Sequence, residues 1–316
     1  MALQKDTLNL ADLEAKYGIA ASMLIADKSL QEVLNTIIKD GITDPDLQLA
    51  ALKQTDWYKK NTDDWRKFQS YKFGNPSTFA VDLQNNAKSV TEKFAKAGIN
   101  VDASTVVSIA EKMMMKSAIV DGKAVSYDGK YLNKMLANAI DFTKTKTINN
   151  KQFYDVQGNL ATVANGLYNA ARDYGMDTSM TNQGFKNWFE TNMRSLVAGD
   201  ITAQELTDQL ANNAVSMMPG LADQIRSGKT VRAAADPWIN AIANELEVDP
   251  ETIDLTDSML QRAINNSDEK GNFSPRSLYD TKLMARKDPR WDYTSTAKKE
   301  KTGIAGTILR DFGFLG

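Results

Sequence analysis

The chain has 316 residues, 42% of them hydrophobic and 25% charged, and its 38 basic against 40 acidic side chains leave a net charge of −2. That is enough apolar material for one large or two ordinary soluble domains, without the positive field that binds DNA non-specifically. The absence of both cysteine and histidine excludes disulfides, thiol nucleophiles, Ser-His-Asp arrangements and nearly all zinc and haem sites, so an enzyme would have to work with carboxylates, lysine or tyrosine.

The opening residues, MALQKDTLNLADLEAKYG, lack a charged region followed by a long apolar core and do not read as a signal peptide. No run approaches the roughly 20 apolar residues of a membrane span. Leu8, Leu10, Leu13 and Tyr17 begin a helical pattern that ends at Gly18. Ser29, with Glu32 three residues on, forms a capping box for the next helix, whose stripe is Leu30, Val33, Leu34, Ile37 and Ile38. Thr43-Asp44-Pro45 opens a third helix carrying Leu47, Leu49 and Leu52.

Trp57, Tyr58, Trp65, Phe68, Tyr71 and Phe73 follow, interleaved with Lys59, Lys60, Arg66, Lys67 and Lys72. Aromatics among bases can form a single-strand nucleic-acid platform, but Asp56, Asp63 and Asp64 dilute the charge and favour core packing. Pro76 starts a longer helix through Phe79, Val81, Leu83, Val90 and Phe94. Asp102 or Ser104 caps another, burying Val106, Val107, Ile109 and Ala110, with Met113-Met114-Met115 as adaptable packing. The period then changes, and Ala118–Ser126 reads as two short strands around Asp121-Gly122, the strongest hairpin signal in the chain.

Leu132, Met135, Leu136 and Ile140 mark a helix that leads into the polar segment TKTKTINNK, residues 143–151, the best linker in the chain. Helices follow around Leu160–Tyr174 and Phe185–Val197, and Thr202 caps one carrying Leu206 and Leu210. Asp236-Pro237 sets an N-cap and a first-turn proline before Trp238, Ile239, Ile242 and Leu246, with further starts at Asp249-Pro250, Asp254, Ser274-Pro275 and Asp288-Pro289. Asp121 and Asp128 lack the ligand and glycine positions of a calcium loop. Asn266–Gly271 offers Asn266, Asp268 and Gly271 correctly but has Lys270 and Ser277 where oxygen ligands belong, so both segments read as solvated turns. In the last segment the basic run Lys298-Lys299-Glu300-Lys301 precedes an apolar stripe of Ile304, Ile308, Leu309 and Phe312, the partner-binding residues of this reading. Such a helix can dock on its own body, on a partner protein or on a membrane surface, and its glycines Gly303, Gly306 and Gly313 make it marginal alone.

The expected fold is mostly α: an irregular multi-helix protein of two helical lobes with one small β-hairpin near 117–131. Its parts are an N-terminal domain over 1–142, a linker over 143–151, a C-terminal domain over 152–292 and a tail over 293–316. Tyr17-Gly18 against Tyr174-Gly175, and Phe94–Asp102 against Ile242–Asp249, recur in similar order at similar offset. This suggests two related halves, although the same strings are also ordinary helix stop and start signals.

Ala235-Asp236-Pro237, Ile253-Asp254-Leu255-Thr256-Asp257, Ser277-Leu278-Tyr279-Asp280 and Arg286-Lys287-Asp288-Pro289-Arg290-Trp291, with Leu10–Tyr17 and Lys53–Lys59 upstream, resemble a family of structural proteins from tailed bacteriophages. The resemblance implies a non-enzymatic minor structural component, internal and ejected or tail-associated. It would be located in the virion and partnered by other virion proteins in multiple copies, with contact to DNA or a host membrane during genome delivery. No catalytic, cofactor-binding or metal-ligating residue, and no small-molecule substrate, is expected. Two other classes stand beside it: a nucleic-acid-binding module built on Trp57–Phe73, and a cell-wall-degrading enzyme. For the latter Glu190, among Trp188 and Phe189, is the one carboxylate whose neighbours could raise its pKa.

Overall fold

The computed structural model describes Met23 and residues 27–311; the predicted helix over Leu8–Tyr17 lies outside them. The fold is mostly helical, with fifteen α-helices and three two-stranded antiparallel sheets among the described residues. Two compact units divide the chain. Unit 1 takes the residues up to Asp141 together with Val156–Leu160 and Val197–Gly199, and unit 2 takes Phe142–Asp155, Ala161–Leu196 and everything from Asp200 onward.

Unit 1 opens with α1 (Lys28–Lys39), α2 (Pro45–Gln54) and α3 (Asp56–Lys59). Asp27, not Ser29, caps α1, because its carboxylate accepts both the Ser29 and Leu30 amides, at 2.9 and 3.1 Å. Leu30, Leu34 and Ile37 are buried, whereas Ile38 and Leu47 of the predicted stripes face solvent. Then come α4 (Asp63–Gly74), α5 (Pro76–Lys96) and α6 (Ala103–Met115), capped by Thr62 and Asp102 at the starts of α4 and α6. Phe79, Val90 and Phe94 of α5 and Val106, Ile109 and Ala110 of α6 are buried, and Val81 and Val107 are exposed.

The predicted hairpin is β1 (Ser117–Val120) paired with β2 (Lys123–Ser126). Its turn residues Asp121 and Gly122 have φ of 50° and 74°, the double positive φ of a type I′ turn. α7 (Gly129–Asn138) follows, capped by Asp128. At the far end of α5, Gly98 adopts φ 75° and lies so close to Gln157 that a Cβ would sit 2.6 Å from its carbonyl carbon; a Cβ on Gly158 would sit 2.4 Å from the Lys96 oxygen. Two glycines thus let two backbone turns of unit 1 touch.

Residues 143–151, expected as a linker, form regular structure. They contain β3 (Thr145–Ile148), which pairs with β4 (Lys151–Tyr154) across Asn149-Asn150, at φ 49° and 61°. Asparagine tolerates this left-handed backbone, so the pair turns the chain as Asp-Gly does elsewhere. A third hairpin joins β5 (Asn266–Ser267) to β6 (Phe273–Ser274), so the described residues hold three hairpins where the sequence suggests one.

Unit 2 also takes most of α8 (Gly158–Asp173) and α9 (Gln183–Ala198), then α10 (Ala203–Met217), α11 (Ala222–Arg226), α12 (Val231–Leu246), α13 (Ser258–Ile264), α14 (Leu278–Ala285) and α15 (Ser295–Asp311). Thr202 and Glu205 complete a capping box on α10. Asp236-Pro237 does not start α12. Thr230 caps that helix six residues earlier and Pro237 sits inside it. An interior proline costs about 3 kcal/mol, and the burial of Val231, Ala234 and Ala235 ahead of it offsets that cost. Ser274-Pro275 likewise leads not into a helix but into Ser277, the true cap of α14. Unit 2 is centred on rings: Phe189, fully buried, lies 4.6 Å from Tyr168, 5.2 Å from Tyr154 and 5.9 Å from Phe185 between centroids.

Candidate functional site

The last helix, α15, is held at one end and exposed from Lys298 to Ala305. Its first three amides need acceptors from outside the helix. The Thr294 hydroxyl accepts from the Ala297 amide at 3.0 Å and donates to the Trp291 carbonyl at 2.8 Å. The other two amides are taken by a residue 48 positions away. Glu247 ends α12 in a left-handed conformation, φ 53°, which sends its carboxylate across the start of α15. One oxygen accepts from the Ser295 amide at 2.7 Å, and the other accepts from the Thr296 amide and hydroxyl, each at 2.8 Å. These hydrogen bonds to the charged form, led by the Ser295 amide, hold the Glu247 carboxyl down at about 2.

Arg286 completes the anchor. Its guanidinium donates to Glu245 of α12 at 3.0 Å and to Glu300 of α15 at 3.3 Å, and it lies 5.7 Å from the centre of the Trp291 ring. Lys301 pairs with Asp292 at 2.8 Å. Ala297 and Thr294 are buried. From Lys298 to Ala305 every side chain is exposed, and Ile304 is 60% exposed. Of the other predicted partner-binding residues, Ile308 and Leu309 continue the helix backbone with side chains that are not described, and Phe312 lies beyond the described residues.

The remaining sequence candidates have work inside their own unit. The Tyr154 hydroxyl donates to the Glu190 carboxylate, and the Tyr154 amide donates to the Tyr168 hydroxyl at 3.0 Å. Burial, then Glu190, pushes the Tyr154 hydroxyl well above the ordinary tyrosine range. Glu190 is therefore an acceptor at the edge of a ring cluster. Of the six rings from Trp57 to Phe73, Phe73 alone is exposed. Arg66 is buried, with its guanidinium 3.7 Å from the centre of the Tyr58 ring and its N–H groups on the Tyr58 and Asn61 carbonyls and on Asp63. Lys60 pairs with Asp56 and Lys72 with Glu111.

Asp268 accepts from the amides of Lys270 and Asn272 and from the Asn272 side chain, which closes the β5–β6 turn. Among the described residues no group of three acidic side chains is placed to hold a metal ion. A cleft of about 430 Å³ in unit 1 is lined by the half-buried Met113, Met114 and Met115 together with Tyr71, Asp82 and Lys116. Its Tyr71 hydroxyl donates to Asp82, so these two polar groups satisfy each other.

The chain matches no protein-family model, and no curated protein or solved structure is significantly similar to it. The geometry of α15 is thus the main guide to function. Of its parts, the apolar stripe is readable in the sequence. The Glu247 clamp is not, because nothing local to Glu247 signals a partner 48 residues on.

Proposed function

We propose that this protein is a non-enzymatic structural or assembly component of a tailed-bacteriophage particle, internal or tail-associated, and that α15 is the element by which it joins neighbouring virion proteins in multiple copies. The observation that carries the reading is a helix whose side chains from Lys298 to Ala305 are all exposed. An isolated helix of 17 residues containing Gly303 and Gly306 is marginal in water, and one that leaves Ile304 in solvent gains its stability on a second surface. The sequence resemblance supplies the kind of particle, and the anchor at Glu247 and Arg286 supplies a fixed base from which the helix can reach a neighbour.

The test is a proteomic comparison of purified particles before and after triggered genome ejection. Presence before and loss after assigns an ejected internal component. Retention in the empty particle assigns a fixed shell, neck or tail part. Absence from both refutes the proposal. A chain shortened after Lys301 should fold yet fail to enter particles, and its normal incorporation would remove α15 from the assembly role.

A further inference from the structure

The β3–β4 hairpin has one covered edge and one open edge. Along an antiparallel pair, residues that bond across to the partner strand alternate with residues whose amide and carbonyl point away from it. The Asp155 amide donates to the Lys144 carbonyl at 2.9 Å, which sets that alternation. Lys146 and Ile148 then bond across to β4 as Lys144 does to Asp155, and Thr145 and Thr147 point outward. On β4 the outward groups belong to Gln152 and Tyr154, and the Tyr154 amide donates to the Tyr168 hydroxyl of the same unit at 3.0 Å. Phe153 adds a ring contact with Tyr168, 4.9 Å between centroids. Among the described residues, no group outside the hairpin bonds the Thr145 or Thr147 backbone, and every side chain of β3 is exposed. The β-branched Thr145, Thr147 and Ile148 suit a pleated sheet, yet theirs has only two strands.

We propose that the outer edge of β3 is a strand-addition site for an acidic, extended segment of a partner protein. The outward amides and carbonyls of Thr145 and Thr147 match another extended backbone, residue for residue. A helix offers no such match, because its backbone groups are bonded internally. Charge then selects among extended chains. Residues 143–152 hold Lys144, Lys146 and Lys151 and no carboxylate. By the period of two, Lys144 and Lys146 share one face with Ile148, and Thr145 and Thr147 share the other. Asp155 meets Lys146 at 3.7 Å, but from the β4 side, and leaves the Lys146 side chain 41% exposed. Lysines on an edge strand discourage pairing with uncharged or basic strands. A second copy of β3 is therefore a poorer occupant, since it brings Lys144 and Lys146 beside their own kind. A strand that alternates carboxylates with β-branched residues meets the lysines on one face and the threonines on the other. The site uses no residue of α15, so it stands or falls separately from the assembly role of that helix.

The full-length protein would be titrated into fluorescein-labelled peptides of about ten residues, one alternating glutamate with valine and the other alternating lysine with valine. Fluorescence anisotropy should rise with the glutamate peptide alone, and hydrogen exchange at the Thr145 and Thr147 amides should slow about tenfold at saturation. Thr147→Pro removes one outward N–H while Lys146 and Ile148 keep their bonds to β4. It should weaken the glutamate peptide about tenfold, because an amide of the site and its partner carbonyl go unpaired. Lys144→Glu/Lys146→Glu should lose the glutamate peptide and gain the lysine one. These side chains lie on the surface, and circular dichroism checks that both variants fold. No binding of the glutamate peptide, equal binding of the lysine peptide, or parental binding by the Thr147→Pro protein would overturn the proposal. Binding of single-stranded DNA without the glutamate peptide would overturn it by reassigning the lysines to nucleic acid. Self-association that Thr147→Pro abolishes, without peptide binding, would overturn it by reassigning the edge to a second copy.

Discussion

Replacing Thr294 with alanine should loosen α15 and little else. Thr294 is buried, and its hydroxyl is the acceptor for the Ala297 amide. The Trp291 carbonyl keeps a donor when the hydroxyl goes, since the Thr294 amide also reaches it at 2.9 Å. The loss is therefore that of an N-cap, about 1 kcal/mol, which is about a fivefold change in a local opening equilibrium. Hydrogen exchange read by mass spectrometry on the peptide covering 295–305 measures it directly. Exchange at Ala297–Lys301 should speed up about fivefold, while peptides from α12 and α14 keep their protection. An unchanged rate would mean that the cap does not hold the helix. Faster exchange throughout α12 and α14 would mean that the base of α15 is not a separate element, and the picture of an anchored arm would fail.

Acid should release the same arm. The Glu247 carboxyl is held below its ordinary 4.5, at about 2, so its contribution is complete above 4.5 and is lost as the pH falls towards 2. Exchange of the 295–305 peptide should rise across that window, and a Glu247→Gln protein should show no such rise. In the core of unit 2, Phe189→Leu should lower stability by about 2 kcal/mol, because it removes ring contacts as well as volume. Phe94→Leu, at a buried ring of unit 1 with no aromatic partner among the described residues, should cost about 1 kcal/mol. Urea unfolding followed by tryptophan fluorescence compares the two, and equal losses would deny the ring cluster any special weight. Gly158→Ala, with φ 56° and a Cβ placed against Lys96, should cost about 3 kcal/mol. Gly166→Ala, inside α8 with open space around it, should gain about 0.5–1 kcal/mol in thermal melts.

Much of the helical fold is legible in the residues because caps and periods are local signals. Asp44-Pro45, Asp102 and Thr202 each open a helix where the sequence places one, and Asp121-Gly122 makes its hairpin. The β3–β4 hairpin escapes notice because β3 is exposed on both faces. A strand with no buried side shows no apolar alternation, which leaves only Asn149-Asn150 to betray it. Pro237 misleads because a local breaker meets a helix that tertiary packing prefers to continue. The repeated strings around Phe94–Asp102 and Ile242–Asp249 do share a helix ending: Ile99 and Val248 each donate to a carbonyl five residues back, at 3.0 Å, after a left-handed residue. The next element differs between them, a helix of 13 residues in one case and a three-residue 3-10 turn in the other. The arm's stripe is written in the sequence at Ile304, but its clamp joins residues far apart in the chain, and no local pattern encodes such a meeting.

The segments Val156–Leu160 and Val197–Gly199 belong to unit 1, and the contact of Gly98 with Gln157 fastens the first of them. During synthesis, then, unit 1 remains unfinished when the ribosome reaches Asp141, and its last piece emerges nearly 60 residues later, by simple subtraction from Gly199. The β3–β4 hairpin and most of α8 and α9 are made in that interval. A gene cut at Asp141 would yield a fragment with an open seam at Gly98, whereas one extended past Gly199 would carry every piece of its own unit.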